Sequence, residues 1–158
     1  MSGRRLTRRR VLAASGLALL GGAGALALGG TNLFLAAITE TVEGAQIDAP
    51  TAHRLATEEG IVLIDIRRPE EWAATGSGAG AHRLDMRRPD FLDEVFRLAE
   101  GDRTRPIAVI CARGVRSARL SNAMAEAGFT NIIDVPEGMI GSPAGPGWIA
   151  RGLPLVLG

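Results

Sequence analysis

Short aliphatic runs alternate with amphipathic stretches through most of this 158-residue chain. Two such runs, at residues 61–64 and 107–110, are typical of strands buried on both faces of a sheet. A third strand is predicted at 132–135, and a weaker strand at 81–84. Helical patterns separate them, at 50–59, 69–74, 89–100 and about 115–127. Strands that alternate with helices predict a single α/β domain, whose mostly parallel sheet is flanked by helices.

The first 39 residues are of a different kind. Arginines stand at positions 4, 5, 8, 9 and 10, and no charged residue follows between Val11 and Thr39. A basic start followed by an apolar segment is typical of an export signal or a membrane anchor, and Thr7 to Leu12 resembles the twin-arginine export motif. We therefore expect residues 1–39 to be a signal or anchor, residues 40–158 to be the domain, and the twin-arginine machinery to be a partner.

This segment has two possible fates. Cleavage after small residues near Ala27 would leave a soluble periplasmic protein. Alternatively, the uncharged stretch from Val11 to Thr39 is retained and anchors the protein to the inner membrane, since about 20 apolar residues can span a bilayer. In both cases the arginines stay cytoplasmic and the domain lies on the periplasmic side.

The charge balance excludes a nucleic-acid partner. Without the five leading arginines, 13 basic residues face 17 acidic residues, and no basic stripe interleaved with aromatic residues is present. The two histidines, His53 and His82, and the single cysteine have no metal-ligand spacing, so neither a metal nor another cofactor is expected. One cysteine also cannot form an internal disulfide.

That cysteine, Cys111, directly follows the aliphatic run 107–110 and precedes the helical pattern that begins near residue 115. Free cysteines often fill cores, but a core-filling residue does not need the Arg113, Gly114 and Arg116 that follow here. Backbone N–H groups at the start of a helix attract anions and favour the thiolate form of a cysteine. We therefore interpret Cys111 as a nucleophile.

Four motifs carry a family resemblance. The segment from Cys111 to Ser117 resembles the Cys-x-x-Gly-x-Arg-Ser active-site loop of rhodanese-type sulfurtransferases. Asp65-Ile66-Arg67-Arg68-Pro69-Glu70-Glu71-Trp72 resembles that family's Asp-x-Arg-x-x-x-Glu-aromatic signature, and the segments 128–132, 137–139 and 148–154 resemble its closing elements. The resemblance covers about residues 46–156 and implies a single rhodanese-like domain. Two stretches depart from the family pattern: 76–81 lacks its usual His and Pro, and the Gly/Pro loop 139–147 is longer.

The resemblance implies transfer of a sulfane sulfur through a Cys111 persulfide. The donor would be a small anion such as thiosulfate, or a persulfide, and the acceptor would be a thiol or cyanide. The loop Ala112, Arg113, Gly114, Val115 and Arg116 would bind the donor through its amides and the two guanidinium groups. Asp65 is expected to support the structure, with Arg67 among its hydrogen-bond partners, although the Arg67-Arg68 and Arg87-Arg88 pairs precede prolines and suggest solvated turns.

Three other functions stay open. Cysteine-dependent phosphatases and arsenate reductases also pair a cysteine with an arginine, but they typically leave five residues between the two, where four separate Cys111 from Arg116. A non-catalytic binding or sensing module of the same fold is a second alternative, since a fold alone does not establish activity. The third is a persulfide carrier that serves one protein partner.

Overall fold

The computed structural model of the protein describes residues 30–58 and 60–157. Residues 30–38 are helical, and the compact unit that contains all the strands begins at Leu35. The leading arginines and most of the predicted export segment lie outside the described residues. Within the described ranges, no helix combines the length and the apolar character needed to cross a membrane.

Seven strands and five labelled helices follow in the described chain. The strands are β1 (Ala45–Gln46), β2 (Val62–Asp65), β3 (Ser77–Gly78), β4 (Ala81–Arg83), β5 (Ile107–Ile110), β6 (Ile132–Asp134) and β7 (Leu155–Val156). The helices are α1 (Ala49–Thr57), α2 (Pro69–Thr75), α3 (Phe91–Leu98), α4 (Val115–Glu126) and α5 (Gly147–Ala150).

The central sheet has five strands in the order β1-β6-β5-β2-β4, and every pair in it is parallel. Parallel neighbours need crossover connections, which here run through the helices and cover both faces of the sheet. The carboxyl ends of β2, β5 and β6 therefore meet at one edge of the sheet. Cys111 lies at this edge, directly after β5. The predicted α/β fold with a mostly parallel sheet is confirmed.

A separate hydrophobic cluster covers each face of the sheet. On one face, α3 and α4 pack against Val62, Ile64, Ile107 and Val109. On the other face, α1 and the fully buried Trp148 of α5 pack against the alternate residues of the same strands. Alternation of side chains along a strand sends successive aliphatic residues to opposite faces, so four-residue runs suffice for both clusters.

Several elements were not predicted. Each of the strands β1, β3 and β7 has only two residues, too few for an alternating or aliphatic pattern to show. The strand β1 extends the main sheet beside β6, while β3 and β7 form a small antiparallel pair. Pairings between distant segments of this kind are decided by tertiary contacts, which single-sequence patterns do not carry.

On α3, Phe91 and Val95 form the buried stripe, whereas Leu92 and Phe96 are 43% and 37% exposed. The prediction for the exposure of Arg67 needs correction. Arg67 does not lie on a solvated turn: it is 1% exposed.

Candidate active site

Cys111 connects the end of β5 to a three-residue loop that leads into α4. Its side chain is 1% exposed, and its sulfur accepts a hydrogen bond from the Gly114 N–H at 3.2 Å. Gly114 is the residue that caps the start of α4, so this N–H belongs to the positive end of the helix. Of the amide donors predicted between Ala112 and Arg116, this is the one that the structure directs at the sulfur.

The loop depends on a glycine at position 114. Gly114 has φ +84°, in the left-handed region, and a Cβ at this position would collide with the carbonyl oxygen of Pro136. The same segment, which follows β6, also holds the loop through hydrogen bonds: the Met139 N–H donates to the Cys111 carbonyl at 2.9 Å, and the Ile140 N–H donates to the Ala112 carbonyl at 3.0 Å. The loop that carries Cys111 is therefore held in place by backbone contacts with residues 136–140.

Ser117 completes the immediate surroundings of the sulfur. The Cys111 thiol donates towards the Ser117 hydroxyl at 3.6 Å, and that hydroxyl donates to the Gly114 carbonyl at 3.1 Å. Ser117 is fully buried in the first turn of α4. A buried hydroxyl that can also donate is a potential partner for a thiolate.

Arg116 lies on α4 but points to a neighbouring carboxylate. Its guanidinium group makes two hydrogen bonds to Glu71 of α2, at 2.6 and 2.8 Å. The hydrogen bond from Arg116 lowers the pKa of Glu71 below its usual value, so the pair is ionised at neutral pH. The ion pair connects α2 to α4 and already occupies both terminal nitrogens of the Arg116 guanidinium group.

The Arg113 side chain is more exposed than that of Arg116. It is exposed at the loop tip, and its one described contact is a hydrogen bond of 3.4 Å to the Gly141 carbonyl. Among the salt bridges of the described residues, none involves Arg113. The side chain borders a small cavity of about 150 Å³, together with Pro136, Ser142 and Pro143. The structure thus places the two predicted arginines close to the start of α4. Arg116 is paired with Glu71, whereas Arg113 has no ion-pair partner among the described residues.

Comparisons with known proteins agree with this geometry. The family described as "Rhodanese-like domain" matches residues 48–141, which include the whole sheet edge around Cys111. The chain belongs to the rhodanese-like family. The thiosulfate sulfurtransferase GlpE of Actinobacillus pleuropneumoniae serotype 3 is 31% identical over 110 residues, which make up 70% of this chain and 91% of that protein. A sulfurtransferase of Allochromatium vinosum is 29% identical over 112 residues, or 70% of this chain and 94% of that protein.

Solved structures share the fold. The polysulfide-sulfur transferase homodimer of Wolinella succinogenes has a TM-score of 0.58 and 24% identity, with 73% of this chain and 80% of that chain covered. A rhodanese-related protein of Thermoplasma volcanium has a TM-score of 0.52 and 29% identity, with 72% of this chain and 99% of that chain covered. The first of these supports the fold alone.

The predicted pair of Asp65 and Arg67 forms a buried hydrogen-bond network next to the candidate site. The Arg67 guanidinium donates to both Asp65 oxygens, at 2.8–3.1 Å, and also to the Gly76 carbonyl at 2.6 Å. Ser77 adds a hydrogen bond of 2.7 Å to the same carboxylate. The pair is fully buried, and its hydrogen bonds join residues that precede α2 to Gly76 and Ser77, which follow it. It therefore fixes the helix that presents Glu71 to Arg116.

A second buried carboxylate organises the Gly/Pro loop of this rhodanese-like domain. Glu137 is 1% exposed and accepts hydrogen bonds from the Ala49 N–H, the Gly147 N–H and the Arg151 guanidinium, at 2.6–2.9 Å. These contacts close the loop 139–147 at its base, beside the segment that holds the loop after Cys111. Sequence reasoning noted Glu137 only as part of a closing motif and did not identify this role.

Three other residues near the site were missed or noted only inside motifs. Glu71 and Ser117 stand in the two signatures, so a signal for them was present. Asp134, which ends β6 with no exposed surface, had no such signal. Among the described residues, no group of three His, Cys, Asp or Glu side chains is arranged to hold a metal ion.

Proposed function

We propose that this rhodanese-like protein is a sulfurtransferase that carries a sulfane sulfur as a persulfide on Cys111. The observation that supports it most is the sulfur of Cys111 at the start of α4, in hydrogen-bond contact with the Gly114 N–H at 3.2 Å. A thiolate in that position is stabilised by the amide and by the helix dipole, and a thiolate is the reactive form of a cysteine.

The proposed reaction has two steps. The Cys111 thiolate attacks the outer sulfur of thiosulfate, the S–S bond of the donor breaks, and sulfite leaves with the electron pair. An acceptor then attacks the outer sulfur of the persulfide and restores the Cys111 thiolate, so that cyanide becomes thiocyanate or a thiol becomes a persulfide. Covalent catalysis of this kind divides one displacement into two easier steps.

The two arginines receive different roles in this proposal. Arg116 is held by Glu71, which neutralises its charge, and it orients the loop from α4. Arg113 has no carboxylate partner among the described residues and stands at the exposed loop tip, so we assign the attraction of the donor's sulfonate oxygens to Arg113. An exposed guanidinium group contributes modestly, because water screens its charge.

Mass spectrometry of the intact protein tests the function. After incubation with thiosulfate and removal of excess donor, the wild-type protein should gain the mass of one sulfur atom on the Cys111 peptide and lose it on addition of cyanide. An organic persulfide, which lacks the sulfonate group, should load the same residue. A thiol that alkylates readily but gains sulfur from neither donor would identify a binding or sensing module instead.

Initial rates of sulfur transfer to cyanide, measured against the concentration of each donor, examine the role of Arg113. The Arg113→Ala variant should show a KM for thiosulfate that is about two- to fivefold higher, the range for an exposed charge contact, with little change for the organic persulfide. Arg119→Ala is the matched control, because Arg119 is an exposed arginine on α4, the helix that follows this loop, and pairs with Glu40 at 3.1 Å. Equal losses with both donors would assign Arg113 to the structure of the loop.

We also propose that the chain is exported by the twin-arginine route and works on the periplasmic side, released or anchored through the segment from Val11 to Thr39. The support is the sequence alone, since the arginines at positions 8–10 lie outside the described residues. Replacement of these three arginines with lysine keeps the charge but removes the planar guanidinium groups, so the variant should accumulate in the cytoplasm. Export at the wild-type level would indicate an ordinary secretory signal. The size and membrane association of the exported wild-type chain distinguish cleavage from retention.

A further inference from the structure

A cavity of about 520 Å³ lies at the end of α4 that is farthest from Cys111. Its walls come from the segment 41–45, from the last turns of α4 and from the connection 129–132 that leads into β6. Cys111 precedes the first turn of α4, and a helix of 12 residues is about 18 Å long, so the cavity is separate from the candidate active site. The proposed sulfur transfer gives it no role.

Part of the cavity wall is apolar. Phe129 and Ile132 are buried members of the hydrophobic cluster that α4 covers, and Val42 and Ala125 add further aliphatic carbon. Apolar walls remove the carbon skeleton of a ligand from water. The volume also falls within the range of roughly 300–1,000 Å³ that is usual for sites of small organic molecules. The cavity therefore suits an organic ligand better than a bare ion.

The charge of the cavity wall is negative. Glu43 and Glu126 line the cavity, and both are exposed. None of the salt bridges formed within the described ranges involves either carboxylate. The residues that line the cavity include no arginine and no histidine. The two carboxylates of the wall thus face the cavity region without a cation to balance them.

Two arginines that lie close to these walls are engaged with other groups. Arg119 pairs with Glu40 at 3.1 Å. Arg103 donates to the Ala127 carbonyl at 2.6 Å and lies over the ring of Phe129, with 4.9 Å between the guanidinium carbon and the ring centroid. Neither guanidinium group forms an ion pair with a carboxylate of the cavity.

The amide side chains of the wall present oxygen atoms as acceptors. The side-chain nitrogen of Asn122 donates to the Thr41 carbonyl at 3.0 Å, and that of Asn131 donates to the Thr104 carbonyl at 3.3 Å. Because the nitrogens are used in this way, the side-chain oxygens remain as acceptors. Amide oxygens and carboxylates together favour a ligand that carries several N–H donors.

An unpartnered hydroxyl group gives independent evidence for a ligand. Ser121 lines the cavity from α4 and is 3% exposed, and its hydroxyl oxygen has no hydrogen-bond partner in the part of the chain that the structure describes. One turn earlier, the Ser117 hydroxyl donates to the Gly114 carbonyl at 3.1 Å. A buried polar group without a partner is costly, and a ligand in the cavity can supply the hydrogen bond.

We propose that this cavity is a binding site for a small aliphatic amine in its protonated form. The carbon chain packs against Phe129 and Ile132, and the ammonium groups pair with Glu43 and Glu126. The carboxyl end of α4 adds to the attraction, because the carbonyl groups there carry partial negative charge. The inference does not involve Cys111, so it is independent of the proposed function.

Equilibrium dialysis of the full chain against radiolabelled putrescine, an aliphatic diamine, tests the proposal. One molecule should bind per chain, and the affinity should fall as the salt concentration rises, because salt screens the charge contacts. Butanediol has the same carbon chain, with hydroxyl groups in place of the ammonium groups, and should not compete. Uptake that does not saturate, or equal competition by butanediol, would overturn the proposal.

Charge variants locate the site. Glu43→Gln and Glu126→Gln should each weaken putrescine binding about two- to fivefold, the range for exposed charge contacts, and the two together should weaken it about tenfold. Asp93→Asn is the matched control, because Asp93 is an exposed carboxylate on α3, outside the cavity and without a salt bridge in the described ranges. An equal loss in Asp93→Asn would show attraction by the overall charge alone and would refute the site.

A steric variant tests the cavity itself. Ala125→Trp places an indole ring in the cavity and should weaken putrescine binding at least tenfold. Ala123→Trp adds the same ring at another exposed position of α4, outside the cavity, and should bind as the wild type does. Both variants should melt near the wild-type temperature, because both positions are exposed. Wild-type affinity in Ala125→Trp would contradict the proposal. A protein that binds putrescine but gains no sulfur from any donor would retain this site while the proposed function fails.

Discussion

Replacing Cys111 with serine should reduce sulfur transfer from thiosulfate to cyanide by roughly a thousandfold or more, because a hydroxyl group at neutral pH is a far weaker nucleophile than a thiolate. Serine is nearly isosteric, and its oxygen can still accept the hydrogen bond that the Gly114 N–H donates to the sulfur. The fold should therefore be preserved. Initial rates of thiocyanate formation measure the loss of activity.

Thermal unfolding and a second variant, Cys111→Ala, separate the loss of the nucleophile from any disturbance of the loop. Both variants should melt near the wild-type temperature and should gain no sulfur from thiosulfate or from an organic persulfide. Thiocyanate release by Cys111→Ser at a rate near that of the wild type would show that sulfur passes through the protein without a Cys111 persulfide.

The largest effect on stability is expected at Arg67. Arg67→Gln should lower the free energy of unfolding by about 3–5 kcal/mol, because it leaves the Asp65 carboxylate buried without its charge partner. The side chains of Asp65 and Arg67 are 0% and 2% exposed, so water cannot replace the lost contacts. Denaturant unfolding followed by circular dichroism measures the change.

The chain offers a matched control for this substitution. Asp85 and Arg87 have the same spacing and the same side-on pairing, with N–O distances of 2.6–3.1 Å, but Arg87 is exposed. Arg87→Gln should leave the free energy of unfolding unchanged within error, because exposed ion pairs contribute little. The double variant Asp65→Leu/Arg67→Met should recover much of the loss. A double variant as unstable as Arg67→Gln would show that the hydrogen bonds to Thr75 and Gly76, rather than the unpaired charge, carry the stability.

The sequence predicted the main elements because their patterns are local. The strand at 107–110 was predicted at its observed bounds, and the helices at 50–59 and 115–127 were predicted within two residues of their ends. The burial of a four-residue aliphatic run, or of an apolar stripe on a helix, can be predicted from the local pattern itself. The two-residue strands β1, β3 and β7 have no such local pattern, because their pairing depends on partners up to 88 residues away in the chain.

The features of the site divide in the same way, into those that adjacent residues predict and those that depend on distant parts of the chain. The motif around Cys111 predicted the nucleophile, the glycine at the start of α4 and the arginines, since all of them lie within six consecutive residues. The spacing of Asp65 and Arg67 also allowed their pairing to be predicted, and the structure confirms it. Local geometry therefore carried the chemistry of the loop, although the exposure of Arg67 could not be judged without the rest of the fold.

Only the tertiary structure decided how the loop residues are engaged. The partner of Arg116 is Glu71, 45 residues earlier in the chain, and this contact leaves Arg113 as the exposed guanidinium group of the loop. Asp134 is buried at the end of β6, next to β5, whose end leads directly into Cys111. The sequence by itself determined the kind of fold and the position of Cys111 between a strand and a helix, because both depend on patterns of adjacent residues. The electrostatic surroundings of Cys111 depend on which distant charges the folded sheet brings together, and which of them it buries.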